Sequence, residues 1–320
     1  MLRDSFNRTH DYLRISLTDK CNFRCSYCMP YDLPKGYYAG KPRMTAEEID
    51  AIVSVFVQLG IKKIRLTGGE PLIRKDVDAI IQNLSKHPVQ LAITTNGALL
   101  HEHLDVLKRC NVKSVNMSLD SLDKNKFISI TGRDEFEQVI SNIHLLLSND
   151  FHVKINVVLM KGVNENEISD FISFTKKIPV HVRFIEYMPF PGNDWDKTKV
   201  FTYKEILDTV SRKFHFEKLP SEQNSTDKKF FVRGHSGTFA IISSMSMPFC
   251  NNCNRLRLTA DGKLKNCLFS ADETDLLTPF RKGEPILHLI RKNILLKYFS
   301  RGGQEIENET NNRMMAAIGG

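Results

Sequence analysis

Between residues 12 and 185, short β-branched runs alternate with helical patterns, and this alternation constrains the fold more than any other feature of the 320-residue chain. The runs predict strands at 12–17, 62–66, 89–93, 113–119, 153–160 and 180–185. Apolar residues at helical spacing predict helices between them. The first holds Ile49, Ile52, Val53 and Phe56, opens on a Thr45/Glu48 capping box and stops at Gly60; others cover 76–84, 99–109, 136–147 and 168–176. About six βα steps result, and crossovers of that length require parallel strands. Polar, glycine-rich segments follow the strands at 67–71 (TGGEP), 94–97 (TTNG) and 118–120 (SLD). Function is therefore expected at the carboxyl ends of the strands, as in a βα barrel, complete or partial. A doubly wound sheet fits the same periodicity.

Beyond Pro189 the alternation ends in a turn-rich PFPGND stretch, followed by a helical pattern at 203–214 and a polar segment at 221–229. We expect residues 1–189 to form the barrel and 190–320 a C-terminal region packed on it. Nothing approaches the ~20 apolar residues of a membrane helix, and the first ten residues lack the apolar core of a secretory signal. A cytoplasmic, reducing location is the expectation. The 45 Lys and Arg against 37 Asp and Glu give a net charge of +8, which suits a polyanionic ligand. Basic residues never run five together, so a nucleic-acid-binding tail is not expected.

Six of the seven cysteines fall into two trios: Cys21, Cys25 and Cys28, then Cys250, Cys253 and Cys267. Clustering in a chain of this type favours metal over disulfides. Four thiolates would close a structural zinc site; three leave a position open. Zinc with a fourth ligand, such as His235 or His288 at the second trio, is one reading. A four-iron cluster with one uncoordinated iron satisfies the count directly. After Cys253 the chain reads Asn254-Arg255-Leu256-Arg257, and two arginines at alternate positions of an extended strand point the same way. They would set fixed charge and forked donors beside the second trio.

The C-x3-C-x2-C spacing, with Tyr27 before the last cysteine and Gly68-Gly69-Glu70-Pro71 after the second strand, resembles the radical S-adenosylmethionine (SAM) superfamily. That resemblance implies a partial (β/α)6 TIM-type barrel, with SAM chelated to the open iron and cleaved to a 5′-deoxyadenosyl radical. Tyr27, Gly69, Ser118 and Met188 would line the SAM site.

The segment from Cys250 to Phe269, together with residues 13–21 (LRISLTDKC) and the terminal Gly319-Gly320, resembles the GTP 3′,8-cyclase family of molybdenum-cofactor biosynthesis. The resemblance implies a C-terminal α+β extension carrying a second [4Fe-4S] cluster that holds the guanine of GTP. The radical would abstract the ribose 3′ hydrogen, and the product would be (8S)-3′,8-cyclo-7,8-dihydroguanosine 5′-triphosphate. Arg14, Arg65, Thr94, Lys154, Arg255, Leu256 and Arg257 would bind GTP, and Arg14, Gly319 and Gly320 would take part in catalysis, the di-glycine tail entering the active site. Arg183 stands at a similar strand position. Family partners would be an electron donor such as flavodoxin or ferredoxin, a second copy in a homodimer, and the cyclic pyranopterin monophosphate synthase that receives the product; nucleic acid and membrane are not expected. The segment 287–312 departs from the family pattern. A competing reading is a radical SAM enzyme acting on RNA or a peptide, with the second cluster as electron relay; three C-terminal cysteines beside two arginines favour a small nucleotide.

Overall fold

The structure, a computed structural model, describes residues 1–29, 43–220, 224–305 and 312–319. Six parallel strands form its centre: β1 (Tyr12–Ser16), β2 (Lys63–Thr67), β3 (Gln90–Thr95), β4 (Ser114–Ser118), β5 (His152–Leu159) and β6 (His181–Glu186). They pair in sequence order. A doubly wound sheet would reverse that order at its switch point, so the chain adopts the barrel-type winding. Helices α1 (Ala46–Gln58), α2 (Val77–Leu84), α3 (Leu104–Arg109), α4 (Lys124–Thr131), α5 (Phe136–Leu147) and α6 (Ile168–Phe174) cover the outside. Only α4 lies outside the predicted segments.

Local chemistry explains these limits. The Thr45 hydroxyl accepts from Glu48 N (3.2 Å) and a Glu48 carboxylate oxygen accepts from Thr45 N (2.8 Å), which closes the capping box of α1. At the other end Gly60, at φ +99°, turns the chain out. Ile49, Ile52, Val53 and Phe56 of α1 are fully buried against the sheet, each contributing roughly 1.5–3 kcal/mol.

After β6 come α7 (Tyr203–Ser211), β7 (Phe216–Lys218), β8 (Lys228–Val232), β9 (Thr238–Ile242), β10 (Arg255–Leu258), β11 (Lys263–Lys265), β12 (Thr274–Asp275), α8 (Leu277–Arg281), α9 (Leu287–Leu295) and α10 (Met315–Ile318). They form no separate sheet. Strand β9 pairs parallel with β6, and β10 pairs parallel with β1. The full order is β12-β11-β10-β1-β2-β3-β4-β5-β6-β9-β8-β7. One apolar core of buried side chains runs through both halves of the chain. No described helix is long and apolar enough to cross a membrane.

Strand register decides what faces the lumen. Arg257 pairs with Arg14 and Arg14 with Arg65; Thr94 pairs with Asn116, and Asn116 with Lys154; Asn156 pairs with Arg183. Residues opposite one another in parallel strands point to the same side, so all of these face inward. The alternating residues Leu13, Ile64, Ile93, Val115, Ile155, Val182 and Leu256 are buried in the outer apolar core. A lumen of this polarity is built to hold a solute.

Candidate active site

One cavity at the carboxyl ends of the strands is lined by all six clustered cysteines. The first trio lies on the loop after β1. Arg24 N donates to Thr131 O (2.8 Å) and Ser26 N to Ile130 O (3.1 Å), fastening that loop to the end of α4. It is sealed on its other side by the glycine turn, where Gly69 N donates to Thr18 O (2.7 Å) and Glu70 N to Lys20 O (2.8 Å). A Cβ on Gly68 would stand 2.5 Å from Thr18 O, and one on Gly69 would collide with Lys20 O. These glycines therefore permit contact with the cysteine loop itself, a closer constraint than approach to a ligand.

The two trios lie in opposite fields. Burial pushes the Cys21 thiol up to about 11, with Glu70 adding to it. Cys25 is likewise raised by burial, then by Asp120, Cys28 and Cys21, and Cys28 by burial, Cys21 and Asp120. Glu70 is buried and raised to about 7, although it accepts from Asn96 N (2.6 Å), Thr95 Oγ1 (2.7 Å) and Leu72 N (3.0 Å). Asp120 is raised by burial to about 6 and accepts from Tyr27 Oη and Val158 N, both at 2.8 Å. At the second trio, burial also opposes ionisation of Cys253, but Arg255 and Lys297 outweigh it and bring the thiol down to about 6.

Basic groups crowd the second side. Burial lowers Arg14 and Arg183 to about 10 and Arg257 well below its usual value; Arg65 acts on the first two and Arg14 on the third. Buried positive charge of this density suits a polyanion. Buried atoms without a partner here include Arg183 Nε, Asn116 Oδ1 and Asn266 Oδ1.

Among the described residues, no three Cys, His, Asp or Glu side chains converge on a single metal ion. All six thiols instead line one cavity as two trios, and three thiolates are the donor count of a four-iron cluster with one open iron. Buried thiols held protonated by their surroundings ionise readily beside a cationic cluster. The donor sets fit two such groups.

The C-terminal tail enters this space. Asn312 Nδ2 donates to Leu268 O (2.8 Å), and Arg313 reaches Asp261 through two bonds (2.8 and 3.0 Å) and also pairs with Glu273. Beyond them Met315 lines the cavity, and the Gly319 carbonyl accepts from Arg257 Nη1. Gly319 has φ +85°, and a Cβ there would lie 2.6 Å from Thr67 Cγ2. Gly320 falls outside the described residues.

Of the other expected site residues, Arg14, Tyr27, Gly69, Thr94, Ser118, Met188, Arg255 and Arg257 line the cavity. Leu256 does not. It alternates with the two arginines, is fully buried and turns its side chain into the outer core, so the part expected of it at the nucleotide would fall to its backbone between the two arginines. Arg65 and Lys154 also lie off the wall, each two residues before a wall residue (Thr67, Asn156) and so nearer the amino ends of the strands. Arg65 donates to Tyr12 Oη (2.6 Å) and Ile93 O (2.8 Å); Lys154 is lowered to about 8 by burial and Arg183. Sequence reasoning missed Asn116 and Asn156, although their parity on the strands marks them, and Arg301, which has no such mark.

Residues 15–175 match the model of the radical SAM superfamily, and residues 180–300 that of the family described as Molybdenum Cofactor Synthesis C. The chain is 44% identical over 331 residues to mouse "Molybdenum cofactor biosynthesis protein 1", covering 99% of this chain but 51% of that protein, so it spans about half the length of such relatives. It is 42% identical over 328 residues to Arabidopsis thaliana "GTP 3′,8-cyclase, mitochondrial", covering 100% of this chain and 84% of that one. Among solved structures, Streptococcus suis SuiB superposes with a TM-score of 0.60 at 17% identity, covering 89% of this chain and 68% of SuiB, a likeness of fold alone.

Proposed function

Because the chain belongs to the radical SAM superfamily and, within it, to the GTP 3′,8-cyclase family, we propose that it converts GTP to (8S)-3′,8-cyclo-7,8-dihydroguanosine 5′-triphosphate, the first step of molybdopterin biosynthesis. The observation that carries this reading is one cavity with two electrostatic ends: carboxylates beside one thiol trio and arginines beside the other.

The family uses a [4Fe-4S] cluster with SAM, and a second cluster at its C-terminal motif. Cys21, Cys25 and Cys28 would hold the first, and Cys250, Cys253 and Cys267 the second. When bound, the first supplies the electron that splits SAM and starts hydrogen abstraction from the ribose. The protein's own groups do the remaining work. SAM carries a sulfonium and an ammonium, which suit the Glu70 and Asp120 side; Tyr27, Gly69, Ser118 and Met188 line its place. Arg14, Arg183, Arg255 and Arg257 suit a triphosphate through charge-assisted, often bidentate contacts, with Thr94 beside them and Arg65 and Lys154 adding charge from behind. The tail, which reaches the cavity through Met315 and Gly319, would cover it and exclude water from a reactive sugar. Residues 1–189 then serve as the SAM-cleaving region and 190–320 as the nucleotide-holding one. An anionic electron carrier of the flavodoxin or ferredoxin type, a homodimer, a cytoplasmic setting and transfer of product to cyclic pyranopterin monophosphate synthase complete the proposal.

The test is iron and sulfide analysis of anaerobically reconstituted protein, with electron paramagnetic resonance before and after GTP. About eight iron per chain is expected, with a GTP-sensitive signal; Cys253→Ala should halve the iron and abolish that sensitivity. Four iron with zinc in the C-terminal site would remove the reason for naming GTP.

A further inference from the structure

One cation of the cavity has no part in the reading above. Arg301 lies in the stretch that departs from the family pattern, one residue past the C-terminal family match. Arg301 lines the cavity wall. Nη2 donates to Met245 O at 2.6 Å, while Nε is buried without a partner. No carboxylate is paired with it among the described residues. A guanidinium keeps its charge at any working pH and carries five N–H donors. Leaving a buried donor unsatisfied is costly, and such an exception in a cavity wall needs a physical reason.

The backbone shows that this position is imposed. Arg301 has φ +48°, and Gly302 and Gly303 follow at +63° and +77°, three left-handed residues in succession. Gly303 N donates to Ser300 O (3.0 Å) and Gln304 N to Arg301 O (3.2 Å), closing the turn. Gln304 Nε2 ties it to Phe269 O (2.7 Å). A Cβ on Gly302 would lie 2.5 Å from Ser270 N, so the turn is pressed against the residues just after Cys267. A non-glycine residue held left-handed between such restraints is a common mark of a functional position. Here the restraint aims one arginine at the cavity.

We propose that Arg301 is an additional anion-binding residue of this cavity, taking a phosphate or carboxylate oxygen through its free Nε–H and a neighbouring guanidinium N–H. The proposal rests on the functional reading above for its two candidate sources, the triphosphate of GTP and the carboxylate of SAM.

The test uses full-length protein with both clusters reconstituted, the variants Arg301→Gly and Arg301→Lys, and calorimetric titration with GTP, SAM and inorganic triphosphate separately. Glycine accepts the left-handed backbone without strain, so R301G should fold and keep its iron; a matching melting temperature and iron content check this. R301G should weaken one ligand about 10- to 100-fold, the range of a charge-assisted hydrogen bond. R301K should recover only part of it, since lysine restores charge without the fork. Weakened GTP and triphosphate binding identifies the phosphate source, and weakened SAM binding the carboxylate. Weakened triphosphate binding in a protein whose parent ignores GTP would uphold Arg301 and overturn the GTP reading. Unchanged affinity for all three ligands, or loss of iron in R301G, would overturn Arg301 as a binding residue.

Discussion

Tyr12 sits among cations on the lumen side of β1: its hydroxyl accepts from Arg65 Nε (2.6 Å), and Lys63 Nζ stands 5.4 Å from its ring. Burial alone would raise the phenol, but Arg65 and Arg14 outweigh it and bring it down to about 7. Tyr12 is thus a built-in counter-anion for the arginines while the lumen lacks a polyanion. Its folded pKa lies below the unfolded value of about 10, so its contribution to stability is complete above pH ~10 and is lost as pH falls through 7. Denaturant titrations should show wild type gaining stability between pH 7 and 10 relative to Tyr12→Phe, with phenolate absorbance appearing near pH 7. Parallel stability curves for the two proteins would refute this. Leu256 teaches the complementary lesson. The period-two rule that sets Arg255 and Arg257 on one face also turns the side chain between them away, so its burial was legible in the sequence.

At the scale of elements, the tail is the most consequential piece. Arg313 is its latch: the paired bonds to Asp261 and the contact with Glu273 fix the chain just before α10. Glu273 is also engaged by Lys265, which is fully buried. Arg313→Ala should free residues 314–319 and raise their amide exchange about tenfold or more while both clusters keep their iron, as hydrogen-exchange mass spectrometry and iron analysis would show; unchanged protection would mean the tail is held elsewhere. Much of the element map was legible. The six central strands and the Thr45/Glu48 cap follow from alternation and local chemistry. The edge pairings of β9 and β10 were not, because each joins segments far apart in sequence, and no local pattern encodes which distant edge a strand will find. Arg301 escaped for a related reason: its direction comes from a left-handed turn pressed on Ser270, a tertiary contact.

At the scale of the whole molecule, the C-terminal region completes the sheet on both sides, β9 against β6 and β10 against β1. A 1–189 fragment would bare two parallel edges, and exposed edges template association. Size-exclusion chromatography should find that fragment aggregated and find it recovered as a soluble complex when 190–320 is co-expressed; a stable soluble monomer would contradict this. The same pairing orders events in time. Strand β1 leaves the ribosome well before its neighbour β10, and the roughly 240 residues between them take roughly 10–50 s to synthesise at ordinary rates. Through that interval the nascent chain carries an unfinished edge beside the loop that holds Cys21, Cys25 and Cys28. Translation speed and chaperone cover over this stretch, as much as the final energy of the fold, therefore govern how many chains reach a form able to accept their metal.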